Sequence, residues 1–185
     1  MKILIALGVI IGILIILLIN TPSLEVSFNI DANIKVVKQE QLEKERKIKY
    51  NNTKANLRKY LAGYNSPLEG SEDRILSIGS KYRISPSLLL AIARVESSLG
   101  IHYVKNNIMG IGGADNMFGF NSMEDSIEYA AKLITTDRAY KRFQVTGSIE
   151  DLARVYCPPT AEEWIAGVTQ FKAEIEEVVP DYRIN

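Results

Sequence analysis

The sequence predicts a mainly α-helical protein with one compact domain, preceded by an apolar segment and a polar connecting segment. Its 185 residues begin with an unbroken apolar run, continue with a charged, lysine-rich stretch, and end in a region where helix start signals recur. We assign residues 1–20 to a transmembrane anchor, 21–60 to a polar basic stalk, and 61–185 to the folded domain.

The apolar run extends from Ile3 to Ile19 and follows only Met1 and Lys2. At about 1.5 Å per residue, such a helix would cross most of a bilayer's hydrocarbon core of roughly 30 Å. A cleaved signal peptide is the alternative, but it usually has a shorter apolar region and a small-x-small cleavage site, which residues 20–25 do not offer. Lys2 favours a cytoplasmic N-terminus. We therefore predict a single-pass protein of the cytoplasmic membrane whose domain is extracytoplasmic.

Charge is distributed unevenly, although the whole chain has 22 basic and 22 acidic residues. Nine Lys/Arg and three Glu lie between Lys35 and Lys59, whereas the region from Leu61 to Asn185 has 12 basic and 17 acidic residues. We expect residues 20–34 to be extended or disordered and the basic stretch to be a solvated helix that tethers the domain; contact with anionic lipids or wall polymers is the alternative. The domain has no basic footprint for nucleic acid.

Helix start signals recur along the domain. Gly70-Ser71-Glu72 predicts a helix to about Tyr82, and Ser85-Pro86 predicts a second helix closed by Gly100. The second helix is apolar on all sides, which predicts a central position in the core. Further helices are predicted to start at three capping residues: Ser122, Ser148 and Thr160.

The segment from Lys105 to Phe120 contains four glycines and interrupts the helical periodicity, which predicts a glycine-rich irregular lobe with a short hairpin. Cys157 is the only cysteine, so an intramolecular disulfide and a paired-cysteine zinc site are excluded. We interpret it as a half-buried apolar residue rather than a reactive thiol. His102 is the only histidine, and we predict neither a metal nor a cofactor.

Glu96 stands at the end of the otherwise apolar second helix. Burial disfavours its anion, and the negative end of the helix dipole acts in the same direction, so we expect its pKa to be raised. A glutamic acid that keeps its proton near neutral pH is suited to protonating the leaving oxygen of a glycosidic bond. The alternative is an exposed residue paired with Arg94 or Lys105.

Four segments together resemble the ordered signature of bacterial glucosaminidases and soluble lytic transglycosylases of the lysozyme-like superfamily. The first three are ARVESSLG at 93–100, NNIMGI at 106–111 and FGFNSMEDSI at 118–127. The fourth is Tyr156-Cys157-Pro158-Pro159 followed by Trp164. The resemblance covers about residues 65 to 180, and the segments occur in the family's order.

This resemblance implies a lysozyme-like fold with a sugar-binding cleft between the helical body and the glycine-rich lobe. Glu96 would be the general acid, and Tyr156 would lie near the scissile bond and orient substrate or carboxyl. The implied substrate-binding residues are Ser97, Asn107, Gly110 and Phe120. For Asn107 and Gly110 the alternative is a tight turn with glycine at positive φ, and for Tyr156 it is a core tyrosine.

The sequence departs from the family pattern at the second acidic residue. The lobe offers only Asp115, and Phe120 occupies a position where these glucosaminidases usually have tyrosine. If Asp115 reaches the cleft, it would activate water and the reaction would be hydrolysis with two carboxylates. If Asp115 only caps a turn, Glu96 would act alone as acid and then base. A group of the substrate would then complete the reaction, as in lytic transglycosylases.

The function implied is cleavage of the glycan strands of peptidoglycan by a hydrolase of the glucosaminidase or muramidase type, for wall remodelling or for the passage of a secretion or conjugation apparatus. The expected partners are therefore glycan strands, the membrane and a secretion or wall-remodelling complex. A catalytically silent wall-binding or assembly module is the alternative from a different class. A lysin encoded by a phage differs in setting rather than in chemistry.

Overall fold

The computed structural model of the chain describes residues 23–112, 118–158 and 161–179. It is 74% helical, and none of the described residues forms a strand, so the prediction of a mainly α protein is confirmed. The predicted anchor at 1–20 lies outside the described residues. In the part of the chain that is described, no helix is both long and apolar enough to cross a bilayer.

Helix α1 runs from Ser23 to Gly63. The prediction of extended or disordered chain up to residue 34 is therefore wrong from Ser23 onward, and the reason is that no proline or glycine interrupts the sequence before Gly63. Residues 32–49 of the helix are exposed, as expected of a solvated stalk. Leu57 and Leu61 are fully buried, and the compact unit begins at Lys49 rather than at residue 61.

Within the described residues six further α-helices follow, and five of them start where the sequence predicts a helix start. Their bounds are α2 Glu72–Tyr82, α3 Pro86–Ser97, α4 Met123–Thr136, α5 Lys141–Thr146, α6 Ile149–Tyr156 and α7 Ala161–Val178. The Ser122 hydroxyl oxygen accepts the Asp125 N–H at the start of α4, and Ser148 does the same for Asp151 at the start of α6. The predicted cap at Thr160 lies outside the described residues.

Helix α3 is central in the core, as its apolar sequence predicts. Its residues Leu89 to Ala93 are fully buried, and α7 packs along it more extensively than any other pair of helices in the described part of the chain. Gly167 of α7 faces α3, because a β-carbon there would lie 3.1 Å from a methyl group of Val95. The close approach of α7 brings its side chains to the end of α3 that carries Glu96.

Helix α3 ends at Ser97, three residues before the predicted stop at Gly100. Ser98, Leu99 and Gly100 follow with φ of 54°, 58° and 82°, so the chain turns sharply through three left-handed residues. The N–H groups of Ser98 and Leu99 satisfy the carbonyls of Arg94 and Ala93. The sequence prediction placed the stop at the glycine, whereas the turn begins two residues earlier on non-glycine residues.

Arg94 links α3 to α1 and α7 through its guanidinium group. Its guanidinium donates to Glu174 at 2.7 Å and to the Tyr60 and Tyr64 hydroxyls, and it stacks on the Phe171 ring at 4.0 Å. A charge this enclosed is retained only because it is paired and hydrogen-bonded. The network fixes the register of α7 against α3.

Candidate active site

Glu96 is the second-last residue of α3 and is half-buried. Its Oε1 accepts a hydrogen bond from the indole N–H of Trp164 on α7, with 2.8 Å between Nε1 and Oε1. Arg94 pairs with Glu174, and no ion pair joins Glu96 to Arg94 or Lys105 among the described residues. The contacts of Glu96 therefore do not support the alternative of a surface ion pair.

The pKa of Glu96 is raised above the usual range of a glutamic acid. Burial is the main cause, because it penalises the charged form, and the indole N–H of Trp164 acts in the opposite direction by stabilising the anion. The direction and the leading cause match the expectation from the apolar sequence of α3. A carboxyl group of this kind keeps its proton to higher pH than an ordinary glutamic acid does, which suits a proton donor.

Gly110 lies against the Glu96 carboxyl group. A β-carbon at position 110 would lie 2.2 Å from Oε2 of Glu96 and 2.7 Å from its carboxyl carbon, both well inside van der Waals contact. The φ of Gly110 is +66°, a conformation that side chains with a β-carbon rarely adopt. The absent side chain thus makes room for the carboxyl group, and the positive φ supports the alternative interpretation of Gly110 as a turn glycine.

Asn107 and Ser97 are each 3% exposed, and their polar atoms bond to the backbone. The Asn107 side chain donates to the Ile111 carbonyl and accepts from the Ile111 N–H, so it closes the loop that contains Gly110. Ser97 Oγ lies within hydrogen-bonding distance of the Ala93 and Ile108 carbonyls and accepts the Gly100 N–H. These contacts support the turn interpretation of Asn107 and a bracing role for Ser97, rather than direct contact with sugar.

Tyr156, at the end of α6, completes the cluster. Its ring stacks on Trp164 with 5.3 Å between centroids, and its hydroxyl donates to the carbonyl of Met109, the residue before Gly110. The pKa of Tyr156 is raised well above the ordinary tyrosine value, mainly by burial and further by the nearby Glu96 carboxyl group. Tyr156 therefore lies beside Glu96 as a neutral hydrogen-bond donor that holds the Gly110 loop.

Phe120 belongs to a second group of side chains, on the lobe. Its ring is 5.6 Å from Tyr129, and Phe118 contacts the same tyrosine edge-on at 6.0 Å. Phe118 and Tyr129 are 45% and 39% exposed. Within the lobe, the Phe118 N–H donates to the carbonyl of Ile111, the residue after Gly110. Asp115 lies outside the described residues.

Sequence reasoning placed Trp164 in the closing motif and did not identify it as the partner of Glu96. The two residues are separated by 68 positions, and they meet only because α7 packs on α3. A usable signal was present, because Trp164 is the only tryptophan of the chain and a buried indole N–H requires an acceptor. Glu96 carries the one carboxyl group of the apolar helix α3 and accepts this N–H.

We expect Glu96→Gln to stabilise the folded protein at neutral pH. The folded state holds the Glu96 proton more tightly than the unfolded chain does. The stability that Glu96 contributes is therefore fully present below the unfolded pKa and is lost as pH rises through the raised folded pKa. Glutamine stays neutral and its side-chain oxygen can accept the same indole N–H. The variant should gain on the order of 1 kcal/mol at neutral pH.

Thermal unfolding of wild type and variant, at neutral pH and again below the ordinary pKa of glutamic acid, measures this difference. The gain should vanish in acid. A variant that is less stable than wild type at neutral pH would contradict a desolvated Glu96.

Comparison of the chain with known protein families, with curated proteins and with solved structures finds no match.

Proposed function

We propose that this protein cleaves the glycan strands of peptidoglycan, with Glu96 as the general acid and with a lysozyme-like arrangement of helical body and lobe. The observation that carries the proposal is the convergence of three separate motifs on one carboxyl group. Gly110 from the second segment abuts Glu96 from the first, and the closing segment brings Tyr156 and Trp164 to the same place.

The chemistry of the cluster suits glycosidic cleavage. Bond breaking needs a proton at the leaving oxygen, and a carboxyl group whose pKa is raised by burial supplies one. The exposed parts of the Phe118 and Tyr129 side chains offer aromatic surface of the kind that packs against sugar rings. We place the domain outside the cytoplasm, tethered by α1 to a membrane anchor at 1–20, where peptidoglycan is the available polysaccharide.

The reaction type follows from the ends of the products. The full chain, in detergent because of its apolar N-terminal segment, is incubated with purified peptidoglycan, and the soluble fragments are analysed by mass spectrometry. Anhydro-muramyl ends would identify a lytic transglycosylase, and reducing ends a hydrolase whose bond is named by the terminal sugar. Fragments from neither reaction, together with retained binding to the wall, would overturn the proposal in favour of a silent wall-binding module.

A further inference from the structure

The hydrogen bond between Trp164 and Glu96 distinguishes the two carboxyl oxygens. The indole N–H is a donor and cannot accept, so the oxygen it contacts, Oε1, cannot direct a proton toward it. The other oxygen, Oε2, is the one that lies against Gly110. The two oxygens of one carboxyl group are therefore held in different surroundings by residues from two distant parts of the chain.

The indole is itself held in place. Trp164 is 4% exposed and stacks on Tyr156, with an angle of 30° between the ring planes. The Tyr156 hydroxyl is bonded to the carbonyl of Met109, so the same chain of contacts fixes both the indole and the loop that carries Gly110. Because the indole is held by these contacts, its N–H keeps its direction, and the carboxyl group bound to it keeps its rotamer.

We infer that Trp164 is a positioning residue, whose indole N–H holds Oε1 of Glu96 as an acceptor and thereby directs the carboxyl proton to Oε2, beside Gly110. This inference rests on the proposed function, in which Glu96 protonates the leaving oxygen of a glycosidic bond. A proton fixed on Oε2 would be delivered to that oxygen in one direction. Such fixed geometry is what general acid catalysis gains from a folded site.

Among the residues that the structure describes, few titratable groups on the elements around Glu96 could set its ionisation in place of the Trp164 indole. From α6, Tyr156 faces Glu96, with the Cys157 thiol next to it, and the Gly110 loop from Ile108 to Ile111 carries no titratable side chain. On α7, Glu174 is paired with Arg94. The indole N–H is thus the contact on these elements that favours the Glu96 anion.

The test compares Trp164→Phe with Phe171→Leu, and its readout is the ionisation midpoint of Glu96. Trp164→Phe keeps an aromatic ring and removes the N–H, whereas Phe171→Leu also shrinks an aromatic side chain of α7 but touches Arg94 rather than Glu96. Carboxyl 13C NMR of the full chain follows the midpoint, and the Glu96 signal is identified by its loss in Glu96→Gln.

We expect the Glu96 midpoint to move to higher pH in Trp164→Phe and to stay at the wild-type value in Phe171→Leu. An unchanged midpoint in Trp164→Phe, or the same shift in both variants, would overturn the inference. In the wild type, fluorescence of the single tryptophan should change with the same midpoint, and the change should be absent in Glu96→Gln. Emission that stays constant while Glu96 titrates would overturn it as well, even if Trp164→Phe fails to fold.

None of these measurements uses a substrate. A shifted midpoint in a protein that releases no wall fragments would leave the positioning role intact and bring down the proposed function. The opposite combination, wall cleavage with an unshifted midpoint, would remove only the role of Trp164.

Discussion

Glu96→Gln should lower the rate of glycan cleavage by about 10²- to 10⁴-fold, the usual contribution of a general acid. Glutamine has the same shape and can accept the Trp164 N–H, so the variant removes the proton and little else. Affinity for the insoluble wall should be unchanged, since no charge is needed at this position for binding. The measurement is the rate of release of soluble fragments by the full chain, with wall binding measured by sedimentation.

Glu150→Gln is the matched control for this variant. Glu150 lies exposed in the first turn of α6, and the same chemical change there should leave the rate at the wild-type value. A Glu96→Gln protein that cleaves as fast as the control would remove Glu96 from the mechanism.

Gly110→Ala should be nearly as damaging as the loss of the acid itself. The added methyl group would lie 2.2 Å from Oε2. Because this methyl group is bonded directly to the backbone of a braced loop, it cannot move away, and the Glu96 carboxyl group must move. A displacement of about 1 Å in a catalytic group costs on the order of 10²-fold in rate. The positive φ adds a backbone cost of about 1–2 kcal/mol to the folded state.

Gly147→Ala separates these two effects. Gly147 has a φ of +68°, close to the +66° of Gly110, but a β-carbon there would meet nothing within 4 Å. Both variants should lose similar backbone stability in thermal unfolding, and only Gly110→Ala should lose cleavage. Equal activity of the two alanine variants would show that the approach of Gly110 to Glu96 does not matter for the reaction.

The sequence predicted the parts of this site that depend on local pattern. The apolar surroundings of Glu96 follow from α3 itself, and the conformation of Gly110 follows from a turn that glycine favours. It did not predict that the Ser97 hydroxyl would bond to the backbone, and for Asn107 it left a tight turn and sugar contact open, because the position of a residue in a motif does not fix the direction of its side chain. The Trp164 contact depends on the register of α7 against α3, which tertiary packing sets.

The fold shows the same contrast between features set by local sequence and features set by tertiary packing. Helix starts at Ser122 and Ser148 could be predicted because a capping side chain acts within three residues. The short helix Lys141–Thr146 lacks a capping hydrogen bond from a side chain at its start and was not predicted. Helix α1 extends in both directions beyond the basic stretch from Lys35 to Lys59. Toward its start no proline or glycine interrupts the sequence, and its last turns are held by burial of Leu57 and Leu61 in the domain.

The pH dependence of glycan cleavage, set beside the 13C titration of Glu96 in the same full chain, tests the central claim most directly. Burial raises the pKa of Glu96, so the acid form persists to higher pH than in an ordinary glutamate. The rate should be high while Glu96 is protonated and should fall on the basic side with a midpoint that coincides with the Glu96 titration. A rate that continues unchanged through that midpoint would contradict Glu96 as the proton donor.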